Sequence, residues 1–272
     1  VRAWQAALTV IVIGSVYLGV PPAANVLSAN SDRDYGCGRA LHVGVVEFGP
    51  MYHDGKGVDI DLLGELAKRT GCQFDIQVTT RAKLWPAIEA GELDLATNSI
   101  STPDRAKLAR FVTYFGFKNM MVMPSEDVGT TFSLPALVEK AGWRLGLVQG
   151  FRYGNYYDYH LKMLLGDNRV LFYETQLALF DALRRGEVEA ILVPSIHYFF
   201  YLSQDERAHF TLVNASPAPP TPSGLAFSRA QFSAAQVDNW LRVLEAMRLD
   251  QTLHRFASRH IPAAAANTVI EY

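Results

Sequence analysis

Apolar positions along the chain follow two spacings that alternate. Residues 41–48, LHVGVVEF, are a short apolar run rich in β-branched side chains and read as a strand. Residues 58–71, VDIDLLGELAKRTG, switch to helical spacing and end at Gly71, a helix stop. Strand, short helix and strand follow at 74–80, 83–91 and 93–98. Residues 97–107, TNSISTPDRAK, then run into Thr-Pro-Asp-Arg, a helix start with Thr102 as N-cap and Pro103 at the first helical position. Residues 119–124, NMMVMP, are a further strand, and 125–133 are linker-like. A second run begins at WRLGLVQG (143–150) and passes through a helix at 153–165, a strand at 170–174, a helix at 175–186 and a strand at 189–193. The Pro-rich segment 214–224 leads back to a strand at 225–228 and two helices, 233–247 and 251–260; the tail, 263–272, carries little packing signal. Strands alternating with helices predict α/β sheets with parallel pairing.

An internal echo bears on the architecture. Residues 84–94, LWPAIEAGELD, and 179–189, LFDALRRGEVE, share a helix, a Gly stop and the start of a strand. With matched flanking strands this points to two similar lobes, whose strand ends face a cleft between them.

Composition narrows the function classes. The chain has 272 residues, 49% of them apolar, and a formal net charge of −2, which suits a folded protein and implies neither a nucleic-acid footprint nor a polybasic membrane patch. Residues 1–20 have a single charge, Arg2, before an apolar run, and PPAANVLSA follows; this reads as a secretory signal peptide (1–29) cleaved after Ala24 or Ala29, with an uncleaved anchor as the alternative. Export makes a disulfide possible between Cys37 and Cys72. If the strands that follow them are parallel neighbours, both cysteines share one sheet edge within bonding reach; two separate buried thiols are the other reading. The seven His show no metal-ligand spacing, and no G-x-S-x-G elbow or P-loop is present, so no metal or cofactor is expected.

Arg105 poses a local question. It falls in the first turn of its helix, where a cation opposes the helix dipole by roughly 0.3–1 kcal/mol. Either an anionic ligand or a carboxylate such as Asp104 offsets that cost.

The order of these elements, with LHVGVVEFGPMY, GKGVDIDLLGELAKRTG, LWPAIEAGELDLATNSISTPDRAK, WRLGLVQGFRYG and the final MRLDQTLHRFASRHI, resembles family 3 of the periplasmic solute-binding proteins, the polar amino-acid receptors of ABC importers, over residues 41–261. The resemblance implies a two-lobed α/β fold of periplasmic-binding-protein type II, each lobe a mixed, mostly parallel sheet flanked by helices. Lobe 1 is expected at 37–121 plus 225–262 and lobe 2 at 122–224, with hinges near 121–124 and 220–224. It also implies a periplasmic monomer that captures a small carboxylate-bearing solute and presents it to a membrane permease. Arg105 then matches the residue that clamps the ligand carboxylate, Thr97, Asn98 and Ser99 supply further hydrogen bonds, and Phe48 is the aromatic that covers the ligand.

Several positions depart from the family pattern. Where family receptors place the acid that pairs with a ligand ammonium, this chain reads Pro194-Ser195, with no acid in 192–202. The second-lobe glycine turn reads Gly150-Phe151-Arg152-Tyr153 in place of hydroxyl residues. Arg81 stands where an aromatic is common, and with Arg152 it is a candidate further cleft cation, while Tyr153 and His197 are first-turn aromatics within reach of the cleft. Three arginines favour a ligand with more than one negative group. Glu47, beside the expected pocket, is the general-acid candidate if the fold serves a dehydratase-like reaction on cyclic acids; a ligand sensor for a membrane receptor is the other alternative.

Overall fold

The computed structural model describes residues 33–129, 133–139 and 142–272; the expected signal peptide lies outside the described residues. The first sheet begins with β1 (Leu41–Val46), α1 (Val58–Thr70), β2 (Phe74–Thr79), α2 (Arg81–Glu89) and β3 (Leu95–Ser99). In α1 Val58, Leu62, Leu63 and Leu66 recur on one buried face, acids occupy the first turn and basic residues the last, and Gly71 ends it in a left-handed conformation. Burying each of those side chains contributes about 1.5–3 kcal/mol. β1 lies between β2 and β3 and is parallel to both.

The helix expected after Thr102 is a single turn, α3 (Arg105–Leu108), and the chain then enters a strand that the sequence pattern did not reveal, β4 (Ala109–Phe117). Thr102 still caps the turn: its hydroxyl accepts from the Arg105 N–H at 3.4 Å and its carbonyl from the Ala106 N–H at 2.8 Å. The aromatic and β-branched residues of ARFVTYFGF pair along their whole length with β10 (Thr221–Ser228), and that sheet pairing overrides the short helical signal.

The second sheet follows the same plan. It contains β5 (Asn119–Pro124), α4 (Leu134–Glu139), β6 (Leu145–Val148), α5 (Asn155–Gly166), β7 (Val170–Tyr173), α6 (Gln176–Arg184), β8 (Ala190–Pro194), α7 (Ser195–Tyr201) and β9 (Phe210–Val213). The chain then returns through β10 to α8 (Ala234–Leu249), α9 (Thr252–His260) and β11 (Val269–Glu271). Strand orders are β11-β4-β10-β3-β1-β2 and β7-β6-β8-β5-β9. Parallel pairing is confined to β2-β1-β3 and β7-β6-β8, and the other pairs are antiparallel, so both sheets are mixed.

The internal echo has a packing basis. In β1 a Cβ on Gly44 would lie 2.5 Å from Leu84 and 2.7 Å from Leu93; in β6 a Cβ on Gly146 would lie 2.7 Å from Leu179. Leu84 and Leu179 open the two matching segments, so in each sheet a bare strand glycine lets the following helix approach closely.

Each sheet has its own core. Leu62, Phe115, Phe227 and Trp240 pack in the first, and Leu145, Tyr157, Leu164 and Leu192 in the second. The chain crosses between sheets at Lys118 and again over residues 214–220, so the expected hinges fall largely inside strands, 121–124 in β5 and 221–224 in β10, and 119–121 belong to the second sheet and 221–224 to the first. The Lys118 ammonium binds the carbonyl oxygens of Ser216 (3.1 Å) and Ala218, joining the two crossings. The tail departs from expectation as well. It forms a 3-10 turn, Ala263–Thr268, with Ala265 buried, and β11 completes the open edge of β4.

Cys37 and Cys72 are joined in a disulfide, their Cα atoms 5.6 Å apart, where β1 and β2 start side by side. The cysteines are 35 residues apart in sequence, and closing such a loop contributes about 3–4 kcal/mol in the chain-entropy model. Replacing both by serine is expected to lower the unfolding free energy by that amount in a urea titration, with the secondary structure unchanged by circular dichroism.

Candidate functional site

The facing ends of the two sheets bring together Phe48 after β1, Arg81 at the start of α2, Thr97–Ser99 at the end of β3 and Arg105 at the start of α3. Opposite them stand the turn 150–153 after β6 and the start of α7 after β8. Arg105 is buried (7% exposed). Its Nη2 donates to the Gly150 carbonyl across the cleft at 3.0 Å, its Nη1 to the Ile100 carbonyl at 3.4 Å, and its guanidinium lies 4.6 Å from the Trp85 ring centre. Asp104 does not pair with it; that carboxylate is exposed and meets Lys107. Burial, then the charges of Arg81 and Arg152, push the Arg105 pKa down to about 9, with only Asp158 acting against them.

Arg81 is buried more deeply (4% exposed). Its guanidinium lies 5.8 Å from the Phe48 ring centre and 5.5 Å from that of Phe151. None of its three side-chain nitrogens has a hydrogen-bond acceptor among the described residues. Burial pushes its pKa down to about 10, against the attraction of Asp59.

The remaining expected residues fall into two groups. Phe48 is a cleft wall: it stacks on Phe151 with centres 5.8 Å apart and meets the His197 ring edge-on at 4.5 Å. Thr97, Asn98 and Ser99 are buried beside Arg105; the Thr97 hydroxyl and the Asn98 Oδ1 have no hydrogen-bond partner among the described residues, while several of their other groups are engaged. The Asn98 N–H donates to the Tyr114 hydroxyl at 3.0 Å, its side-chain amide to the Asp59 carboxylate, and the Ser99 hydroxyl to the Thr97 carbonyl at 3.1 Å. Arg152 is exposed at the cleft mouth. Tyr153 turns into the second core, where its hydroxyl accepts from the Val148 N–H at 3.1 Å, because its ring fills apolar space there. His197 is buried against Phe48 and Tyr201, and burial pushes its pKa down to about 3, so it stays neutral. Glu47 accepts from the Tyr201 hydroxyl at 2.7 Å and hydrogen-bonds His53 at 3.0 Å, so it ties the two sides together.

Two residues escaped the sequence analysis. Phe151, noted only as part of a turn, stands in the cleft and lines two small cavities, of 30 and 20 Å³, each about the size that admits one or two waters. A roomier cavity of 320 Å³ continues from the smaller one past Ile100, Asn119 and Thr221 towards the crossing segments. Asp59 is the other. It lies fully buried beneath the cleft, where it accepts from the Tyr114 hydroxyl at 3.0 Å and from Asn98. Its spacing with Leu62, Leu63 and Leu66 on α1 was the available signal, since i, i+3, i+4 and i+7 share one face. Among the described residues no cluster of His, Cys, Asp or Glu is disposed to hold a metal ion, and no helix is long and apolar enough to cross a membrane.

This arrangement, two mixed sheets with cations at their facing ends, has known counterparts. Residues 43–263 match the bacterial extracellular solute-binding proteins, family 3, and the chain belongs to that family. Its fold is similar to an ancestral arginine-binding protein bound to arginine (TM-score 0.69, 23% identity, covering 82% of this chain and 98% of that one). It is likewise similar to the arginine 3rd transport system periplasmic binding protein of Legionella pneumophila (TM-score 0.65, 21% identity, 82% and 99%). The GluR0 ligand-binding core in complex with L-glutamate also shares the fold (TM-score 0.68, 18% identity, 82% and 99%). No curated protein matches in sequence. The family is one of binding proteins rather than enzymes, which leaves the Glu47 general-acid expectation without support.

Asp59 makes the site's electrostatics measurable. Burial raises its pKa to about 7, despite the donors around it. A folded pKa above the unfolded value of 3.8 means that the native state holds the extra proton between about pH 4 and 7, so this group's contribution to stability falls as pH rises through that window. Relative to Asp59→Asn, the wild type is expected to lose about 2–3 kcal/mol of unfolding free energy between pH 5 and pH 8. Urea titrations of both proteins at the two pH values check this, and the difference cancels the opposite trend from His197.

Proposed function

We propose that this protein is an extracytoplasmic receptor that closes on a small carboxylate-bearing solute and delivers it to the permease of an ABC importer. The observation that carries the reading is Arg105, a buried guanidinium at the cleft whose hydrogen-bond partners are neutral carbonyls, one from each side. A bidentate pair with a carboxylate adds a second parallel bond and an opposite charge to what a single carbonyl offers, so a ligand carboxylate displaces the Gly150 carbonyl with a net gain. Arginine and L-glutamate, the ligands of two structural relatives, both carry a carboxylate of this kind.

Phe48 and Trp85 supply apolar walls, and Thr97–Ser99 line the floor. Closure rests on the crossings at Lys118 and 214–220, two short strands of chain that absorb the change in angle between the lobes. Membership of an extracellular family supports a secreted protein, periplasmic in a diderm cell, and the single chain supplies both sides of the cleft, as a monomeric receptor requires. The near-neutral charge gives no basis for nucleic-acid binding.

Arg105→Ala is expected to keep the fold and to weaken carboxylate binding by at least about 30-fold, the 2 kcal/mol or more that follows from truncating one partner of a buried charge pair. Calorimetric titration of both proteins, with circular dichroism as the control for folding, checks it. Equal affinity in the variant would refute the assignment.

A further inference from the structure

We infer that the solute carries a second anionic group and no free ammonium, a dicarboxylate, and that Arg81 is the residue that selects it. This rests on the reading of Arg105 above as the anchor of one carboxylate. Arg81 is 4% exposed, and its Nε, Nη1 and Nη2 make no hydrogen bond to any described residue. Five N–H donors buried without an acceptor are costly, and the rings of Phe48 and Phe151 at 5.8 and 5.5 Å offset only part of that cost. The side chain lines the 30 Å³ cavity beside Phe48 and Phe151, and a second cavity, lined by Asn98 and Arg152, borders the same two rings. A ligand that displaces the Phe151 ring therefore meets Arg81, and Arg105 is close enough for the two guanidiniums to repel one another.

Three carboxylates near the cleft are already engaged, and a fourth, Glu174, is exposed where it lines the Arg81 cavity. Glu47 is held by Tyr201 and His53, Asp59 by Tyr114 and Asn98, and Asp158 by the Tyr153 N–H at 3.0 Å. Ser195, in the place of the family's ammonium-binding acid, is fully buried, and its hydroxyl donates to Thr268 at 2.6 Å, away from any ligand. An ammonium would enter a field set by Arg81, Arg105 and Arg152 with, among the described residues, only the exposed Glu174 to meet it, whereas a second carboxylate would satisfy the unpartnered guanidinium.

The test titrates the oxidised protein calorimetrically with linear dicarboxylates of four to six carbons, the monocarboxylates of the same lengths, and L-glutamate. The same series is run on Arg81→Gln and Arg81→Lys, each checked for folding by circular dichroism. The expected result is a wild-type preference for the best dicarboxylate over its monocarboxylate of about 10- to 100-fold, the worth of a charge-assisted contact. That ratio should collapse towards one in Arg81→Gln and be partly restored in Arg81→Lys, which keeps the charge. A purely structural Arg81 would instead weaken both acids alike and leave the ratio unchanged, which overturns the inference. So would tighter binding of L-glutamate than of the five-carbon dicarboxylate. Monocarboxylates that bind as well as dicarboxylates in the wild type overturn it too, yet leave Arg105 as a carboxylate anchor. If no acid binds, both readings fail together.

Discussion

Two guanidinium groups buried at one cleft, packed against carbonyl oxygens and aromatic faces and without an ion pair among the described residues, are the constraint around which the rest of this structure is arranged. Charges are seldom buried without partners, because removing them from water costs several kcal/mol per ion even after relaxation. Here the fold lowers that cost by spreading it. Trp85 offers a ring face to Arg105, and the Phe48–Phe151 stack does so for Arg81. Asp59 sits beneath them as a carboxyl that burial keeps partly protonated near neutral pH, so it tempers the positive field without cancelling it. On the proposed reading, the most favourable occupant of such a site is an anion.

The same arrangement explains why the two sides touch. The Gly150 carbonyl reaches Arg105, and its backbone packs so tightly on α2 that a Cβ there would lie 2.8 Å from the Ala82 Cα. Glu47 and Tyr201 make a second bridge. Behind the cleft, Lys118 binds both crossing segments together, and the tail joins them through Thr268, whose carbonyl accepts from the Lys118 N–H at 3.2 Å and whose hydroxyl accepts from Ser195. Contacts that close the cleft through a guanidinium and a carbonyl are exchangeable for contacts with a ligand carboxylate. Contacts behind it, built from main chain and a lysine, can persist while the angle changes.

The order of strands and helices was largely legible in the sequence, because parallel βα units impose strong periodicity and glycine stops. What escaped were elements that owe their conformation to distant partners. β4 follows a sound helix start and becomes a strand only because β10 lies beside it, and β11 is three residues that exist to cover the edge of β4. Of the candidate site, the place of Arg105 after Thr-Pro-Asp raised the question of its counter-charge but left a ligand and a carboxylate both open, and Phe48 came only with the family resemblance. Tyr153 packs its ring into the second core and also lines the 320 Å³ cavity; the left-handed glycines on both sides of the turn, Gly150 and Gly154, decide where its ring points, and a residue count does not show that. Nothing in the sequence marks Phe151 as the ring that fills the cleft, since its role depends on how closely Phe48 approaches from the other sheet.

The most direct test of this account is a crystal structure of the mature, oxidised protein grown with a saturating dicarboxylate. The account predicts a carboxylate bound by the Arg105 guanidinium in place of the Gly150 carbonyl, with the Phe151 ring moved off Phe48. Ligand density elsewhere, with Arg105 still on Gly150 and the Phe48–Phe151 stack intact, would contradict it.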